Sequence, residues 1–140
     1  HSNIKIVAQV QSGYASNTGE TAGQDVITAH PKVNVIASSN DQAIVGVALA
    51  LKQHNLLHKV KLIGGGGTFQ AVQGIKAGTW FGTVNYCPTS EAEAAATMVI
   101  KAARGQPVGT KEVNSLTICG APQMLTKANL GSYKGQWSAG

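Results

Sequence analysis

Asn40 stands at the end of an apolar run, Val33-Asn34-Val35-Ile36, and at the head of a long apolar segment from Gln42 to about Gln53. An Asn amide donates and accepts hydrogen bonds at once, and open α/β sheets bind small ligands at the C-terminal ends of parallel strands. Asp41 beside it is a natural N-cap, which leaves Asn40 as the side chain free to face a cleft. The competing reading is a turn Asn that bonds its own backbone. This junction points to a ligand receptor. The other residue sets read differently. Gly64-Gly65-Gly66-Gly67 lacks the following Lys-Ser/Thr of a phosphate loop. His54 and His58 are four apart with no further ligand cluster, so no metal site is read. The six acidic residues mostly fall at helix starts or on helix faces, and no Ser–His–acid or Cys–His grouping is legible. No catalytic residue and no cofactor is read, so the chain is not expected to be an enzyme. Cys87 and Cys119 are compatible with one disulfide or with two buried thiols.

Alternating short apolar runs and longer amphipathic segments must position these residues. Strands are expected at Ile4 to Val10, Val33 to Ser38, Val60 to Ile63, Trp80 to Tyr86 and Val113 to Cys119. Asn17-x-x-Glu20 resembles a capping box and opens a helix that ends near His30-Pro31. Ile44, Val47, Ala48 and Leu51 form one buried stripe of the next helix. Thr68 caps a short helix with Gly78 past its end. Ser90-x-x-Glu93 caps a helix to about Arg104 with Ala95, Met98, Val99 and Ala102 on its apolar side. Leu125 to Leu130 reads as a short helix. The Gly131 to Gly140 tail has Tyr133 and Trp137 as packing anchors. Alternation of strand and helix means α/β with a mainly parallel sheet.

The 140 residues suffice for one domain with a real core. Hydrophobic content of 43% and charged content of 12% describe a globular protein. The net charge is +5, but the eleven Lys and Arg are scattered and no aromatics interleave with them, so nucleic acid is not expected as a partner. The longest strongly apolar stretch, Ala43 to Leu51, is too short to span a membrane. No signal peptide is read, and His1-Ser2 looks like a cloning scar, a processing point or a cut end.

Several stretches together resemble the C-terminal portion of the type I periplasmic sugar-binding proteins. This ribose- and galactose-binding group shares its fold with the effector domains of lactose-repressor-type regulators. They are Val26-Ile27-Thr28-Ala29-His30-Pro31 with Val33-Asn34-Val35-Ile36-Ala37; Ser39-Asn40-Asp41-Gln42-Ala43 with Gly46 and Ala50-Leu51; Lys61-Leu62-Ile63-Gly64; and Ala71-Val72-Gln73-Gly74-Ile75-Lys76-Ala77-Gly78 with Gly82-Thr83-Val84. The resemblance implies a periplasmic-binding-protein type I fold, a three-layer αβα arrangement with a mainly parallel sheet, here as an incomplete two-lobe structure. Residues 3–86 and 119–140 would form part of the C-terminal lobe. Residues 89–117 would cross over to complete the N-terminal lobe, whose bulk is absent, as are the first strand and helix of the chain's own lobe. Partners implied are the missing N-terminal half as a separate chain, or an exchanged second copy.

The resemblance also implies a role: an extracytoplasmic solute-binding component of an ABC-type transporter that closes on a sugar or sugar-like polyol. The other partner would be a membrane permease, and the location periplasmic or extracellular, with a membrane tether through the missing N-terminus. The alternative is the effector-binding domain of a lactose-repressor-type regulator. In the family the Asn40 position bonds sugar hydroxyls and the Tyr14 position carries a ring that stacks on the sugar; an ordinary loop Tyr is the alternative there. Gln11 and Ser12 belong to the same rim. Tyr86 stands where ribose-type proteins carry a Gln, with Asn85 as its neighbour and hinge packing as its other reading. Gly66 replaces a family Asp that grips hydroxyls, so its backbone N–H, or the room it leaves, takes over. Cys87 and Cys119 both fall at expected crossovers, where a bridge would clamp the hinge.

Overall fold

The computed structural model describes residues 3–109 and 112–139, so His1-Ser2, Thr110-Lys111 and Gly140 lie outside the described residues. A four-stranded sheet of order β1-β2-β3-β4 organises the chain, with β1 Val35–Ala37, β2 Lys61–Gly66, β3 Gly82–Asn85 and β4 Met124–Thr126. β1–β2 and β2–β3 pair in parallel and β3–β4 antiparallel. The helices are α1 Ser16–Ala29, α2 Asp41–Gln53, α3 Phe69–Ala77, α4 Pro88–Ala103 and α5 Ser115–Ile118. This is the mixed α/β sheet flanked by helices that the alternating pattern predicts.

The core lies between the sheet and the first three helices. Ile44, Val47 and Leu51 from α2 and Val72 and Ile75 from α3 pack with Leu62 of β2, Leu125 of β4 and Trp80. The α2 stripe thus faces the sheet as its i, i+3, i+7 spacing requires. α1 lies against α2 at a glycine contact: a Cβ on Gly19 would run into Ala43, and one on Gly46 into the Ser16 backbone.

Five local expectations fail, each for a reason outside the local pattern. Ile4 to Val10 is extended but belongs to no strand, and Ile4 and Ile6 are more than 70% exposed. Residues 113–119 contain the short helix α5 instead of a strand. Leu125 to Leu130 is not helical, because Met124–Thr126 pairs with β3 and residues 127–129 turn. The Asn17/Glu20 box does not cap α1: Ala15 is its N-cap, while Glu20 accepts from Gln53 Nε2 at 2.8 Å. Nor does Ser90 cap α4. Pro88 opens that helix behind a left-handed Cys87, and Ser90 Oγ accepts from Gln136 Nε2 at 2.7 Å. The Thr68 cap and the left-handed Gly78 stop form as the sequence predicts, with Thr68 Oγ1 accepting from Ala71 N.

Candidate functional site

The C-terminal ends of β1, β2 and β3 come out at one end of the sheet, followed by Ser38-Ser39-Asn40, Gly67-Thr68 and Tyr86. The loop Gln11–Tyr14 joins them there, because Asn40 Nδ2 donates to Gly13 O at 3.1 Å. Asn40 is the N-cap of α2, its Oδ1 accepting from Ala43 N at 2.8 Å. The capping role assigned to Asp41 by sequence therefore falls to Asn40, which is buried and already holds two backbone partners. One amide hydrogen and one oxygen lone pair of Asn40 are left over.

Asp41 does something different. It is fully buried, and its Oδ2 accepts from Thr68 N at 3.0 Å and Thr68 Oγ1 at 2.9 Å, while Oδ1 accepts from Thr83 Oγ1 at 2.8 Å. One side chain from α2 thereby ties the ends of β2 and β3 together. The glycine run makes this possible. A side chain at Gly64 would strike Asp41, and one at Gly65 would lie 2.5 Å from Ser39 O. Gly66 (φ 150°) and Gly67 (φ 66°) then take a backbone path that side chains resist. The run is thus a packing solution, and its carbonyls are used by the chain itself. Trp137 Nε1 donates to Gly66 O at 2.9 Å and Tyr133 Oη to Gly67 O at 3.2 Å.

The C-terminal tail is stitched over this end. Trp137 lies so close that a Gly66 Cβ would sit 2.8 Å from its ring. The single Tyr133 hydroxyl proton is shared with Asn85 Oδ1, the nearer acceptor at 2.8 Å, and Gln136 bonds Ser90 on α4. Burial pushes the Tyr133 pKa above its ordinary value, the nearby Asp41 charge adds to this, and the Asn85 hydrogen bond opposes it. Asn85 Nδ2 and Gln42 Oε1 are buried without a hydrogen-bond partner among the described residues, so a donor and an acceptor remain open.

The predicted residues gather unequally. Gln11, Ser12, Tyr14 and Asn40 line one groove of about 400 Å³. Tyr86 reaches its rim, donating to Ser39 O at 3.3 Å. Gly66 lies buried beneath Trp137. Tyr14 is 76% exposed, with its ring face open. Cys87 and Cys119 are joined as a disulfide, Cα–Cα 5.5 Å, closing the loop that carries α4. Asp41 as a hub and Trp137 as the cover of Gly66 were missed by sequence reasoning. The available signal was the run of glycines after β2, which calls for large neighbours.

A family model describing a periplasmic binding protein domain matches residues 1–107. No curated protein matches. Among solved structures, a solute binding protein of an ABC transporter from Mycobacterium smegmatis with bound glycerol is similar, at 28% identity and TM-score 0.79, over 98% of this chain and 46% of that one. A carbohydrate transporter solute binding protein from Agrobacterium radiobacter in complex with D-arabinose has 26% identity and TM-score 0.76, over 91% and 41%. One from Bacillus halodurans with bound myo-inositol shares the fold, at 20% identity and TM-score 0.82, over 96% and 44%. The chain spans less than half the length of each of these structures.

Proposed function

This chain belongs to the periplasmic binding protein domain family, as a portion of a type I sugar-binding protein, and on that premise we propose that it is part of a receptor for a sugar or sugar-like polyol serving an ABC-type transporter. The carrying observation is the cluster of open polar and aromatic groups where the parallel strands end. Tyr14 offers a ring face, Asn40 its spare donor and acceptor, and Gln11 and Ser12 further polar atoms. Ring hydroxyls take bonds from such amides while axial C–H groups rest on the phenol ring. Tyr86 extends the rim, and the open donor of Asn85 gives it a further polar group. Nothing in this set activates a nucleophile or moves a proton, so binding without chemistry is the function proposed.

In this reading residues 3–86 and 119–140 belong to one lobe and residues 89–117 to the other. Support comes from α4, which has no buried residue and leaves Val99 67% and Ile100 51% exposed; such a stripe is a face in want of a partner. That partner is the remainder of the protein or a second copy. Closure of the two lobes is stabilised by contacts each makes only with ligand between them, and the liganded form meets a membrane permease from the periplasmic or extracellular side. Thermal melts of the complete protein with aldopentoses, aldohexoses, inositols and glycerol test this. One class is expected to raise Tm as a ligand bound only by the folded state must; no shift with any member overturns it.

A further inference from the structure

We propose that the groove at the N-terminal ends of β2 and β3, opposite the Asn40 end of the sheet, is a second binding site that takes a small aromatic carboxylate. The groove encloses about 360 Å³, a volume suited to one small ring compound. It shares no residue with the groove read as a sugar site, so the two readings stand or fall separately.

Three observations carry it. First, the sheet brings the parts together. β2 starts at Lys61, β3 starts at Gly82, and Gly82 pairs with Thr126 where the antiparallel β4 ends. His58, Phe81 and Lys127, just outside these strand ends, line one concavity with Lys61. Second, the floor is apolar and aromatic. Val60, Ile75 and Trp80 are buried, while Phe81 beside them stays 51% exposed. A large ring left half in water at the wall of a groove is stabilised when another apolar ring covers it. Third, the free polar groups are donors, and no carboxylate meets them. The hydroxyls of Thr79 and Thr126 already donate to Gly74 O at 3.1 Å and to Asn129 Oδ1 at 3.2 Å. Trp80 is only 6% exposed, yet its indole N–H makes no hydrogen bond among the described residues. The Lys61 and Lys127 ammonium groups form no ion pair among them either, and none of the six acidic residues lines the groove.

An indole N–H shielded from most water and left unbonded calls for an acceptor. Two unpaired ammonium groups on the rim favour an anionic one. A neutral polyol answers neither the charge nor the aromatic floor. That separates this groove from the Asn40 end, where an amide offers donor and acceptor together. A carboxylate carried on a single ring meets all three demands. Its ring covers Phe81 and the apolar floor, one oxygen accepts from Trp80 Nε1, and the other faces Lys61 and Lys127.

The test is a nuclear magnetic resonance titration of the complete protein, isotope-labelled at its tryptophan side-chain nitrogens and free of sugar. The probes are phenylacetate and its neutral analogue phenylacetamide. The Trp80 indole signal is assigned by its loss in Trp80→Phe or, if that variant does not fold, by its contacts with the Gly74 protons beneath the ring. Phenylacetate is expected to move that signal saturably, with Kd of about 1 mM or below. Trp137, bonded to Gly66 O at the other end of the sheet, should stay unmoved. Lys61→Gln combined with Lys127→Gln should weaken binding about tenfold, and phenylacetamide should bind about tenfold more weakly than phenylacetate. The double variant should keep the sugar affinity of the unmutated protein, read separately by calorimetry. A Trp80 signal unmoved at about 10 mM phenylacetate, equal binding of the amide, or indifference to the double substitution overturns the proposal. So does a Trp80 signal that shifts with protein concentration alone, which would assign the groove to a second copy.

Discussion

The glycine end of β2 and the edge beyond β1 are both built at the borders of one sheet, and they are finished to different degrees. At the glycine end Asp41, Thr68 and Thr83 meet each other's hydrogen-bonding needs, and Trp137 and Tyr133 bond the Gly66 and Gly67 carbonyls. At the β1 edge Val35 is 47% exposed and Ile4–Val10 makes no hydrogen bond to a described residue, and after β3 the helix α4 has no buried side chain. Among the described residues the ends of β2 and β3 are closed by the chain's own side chains, whereas the β1 edge is left open. Stability of the isolated chain should therefore reside in the first region, and its capacity for assembly in the second.

The largest effect should come from Asp41→Ala. It strands the Thr68 N–H and hydroxyl in a buried site, at about 1–3 kcal/mol each, and leaves the Thr83 hydroxyl as donor only its 3.3 Å bond to Val84 O. Urea unfolding should show a loss large enough to put the chain near its folding threshold; a loss no greater than that of a surface substitution would erase the contrast. Next comes Gly66→Ala. Its Cβ meets Trp137 at 2.8 Å and its φ is 150°, which predicts a loss of about 1–3 kcal/mol and a red shift of tryptophan emission as Trp137 is displaced.

Val99→Ser sharpens the comparison from the other side. In chain 1–140 it should change stability by less than about 0.5 kcal/mol, yet weaken assembly with the remainder, measured by light scattering of the mixture. A destabilised isolated chain would mean that α4 already packs. The smallest effect is a pH limb. The raised Tyr133 pKa lies above its ordinary value of 10.0. The folded state holds that proton more tightly, so its contribution is whole below about pH 10 and is lost as pH climbs through the raised value. Melts from pH 8 to 11 should show the decline, and Tyr133→Phe should flatten it.

The same contrast explains what was legible in the sequence. Thr68 and Gly78 bracket α3 through bonds within a few residues, and that helix was read correctly. Asn40 and Asp41 exchange the expected roles because Asp41 is claimed by Thr68 and Thr83, which lie 27 and 42 residues away. Met124–Thr126 is a strand only because β3 is there to pair with it. Ile4–Val10 carries the composition of a covered strand and is not one, since among the described residues no strand pairs with it. That Asn40, Tyr14, Gln11 and Ser12 lie together at the strand ends was legible because strand ends and turns announce themselves locally. The cover that Trp137 lays over Gly66 could not, because it depends on where a tail returns.

The most direct measurement is isothermal titration of the complete protein with the sugar and polyol panel, with Tyr14→Ala alongside. Tyr14 is exposed and makes no hydrogen bond among the described residues, so its removal should spare the fold. Saturable one-to-one binding of at least one sugar or polyol, weakened tenfold or more by Tyr14→Ala, is the predicted result. Absence of heat with every member, or binding indifferent to Tyr14→Ala, would contradict a sugar site at these strand ends.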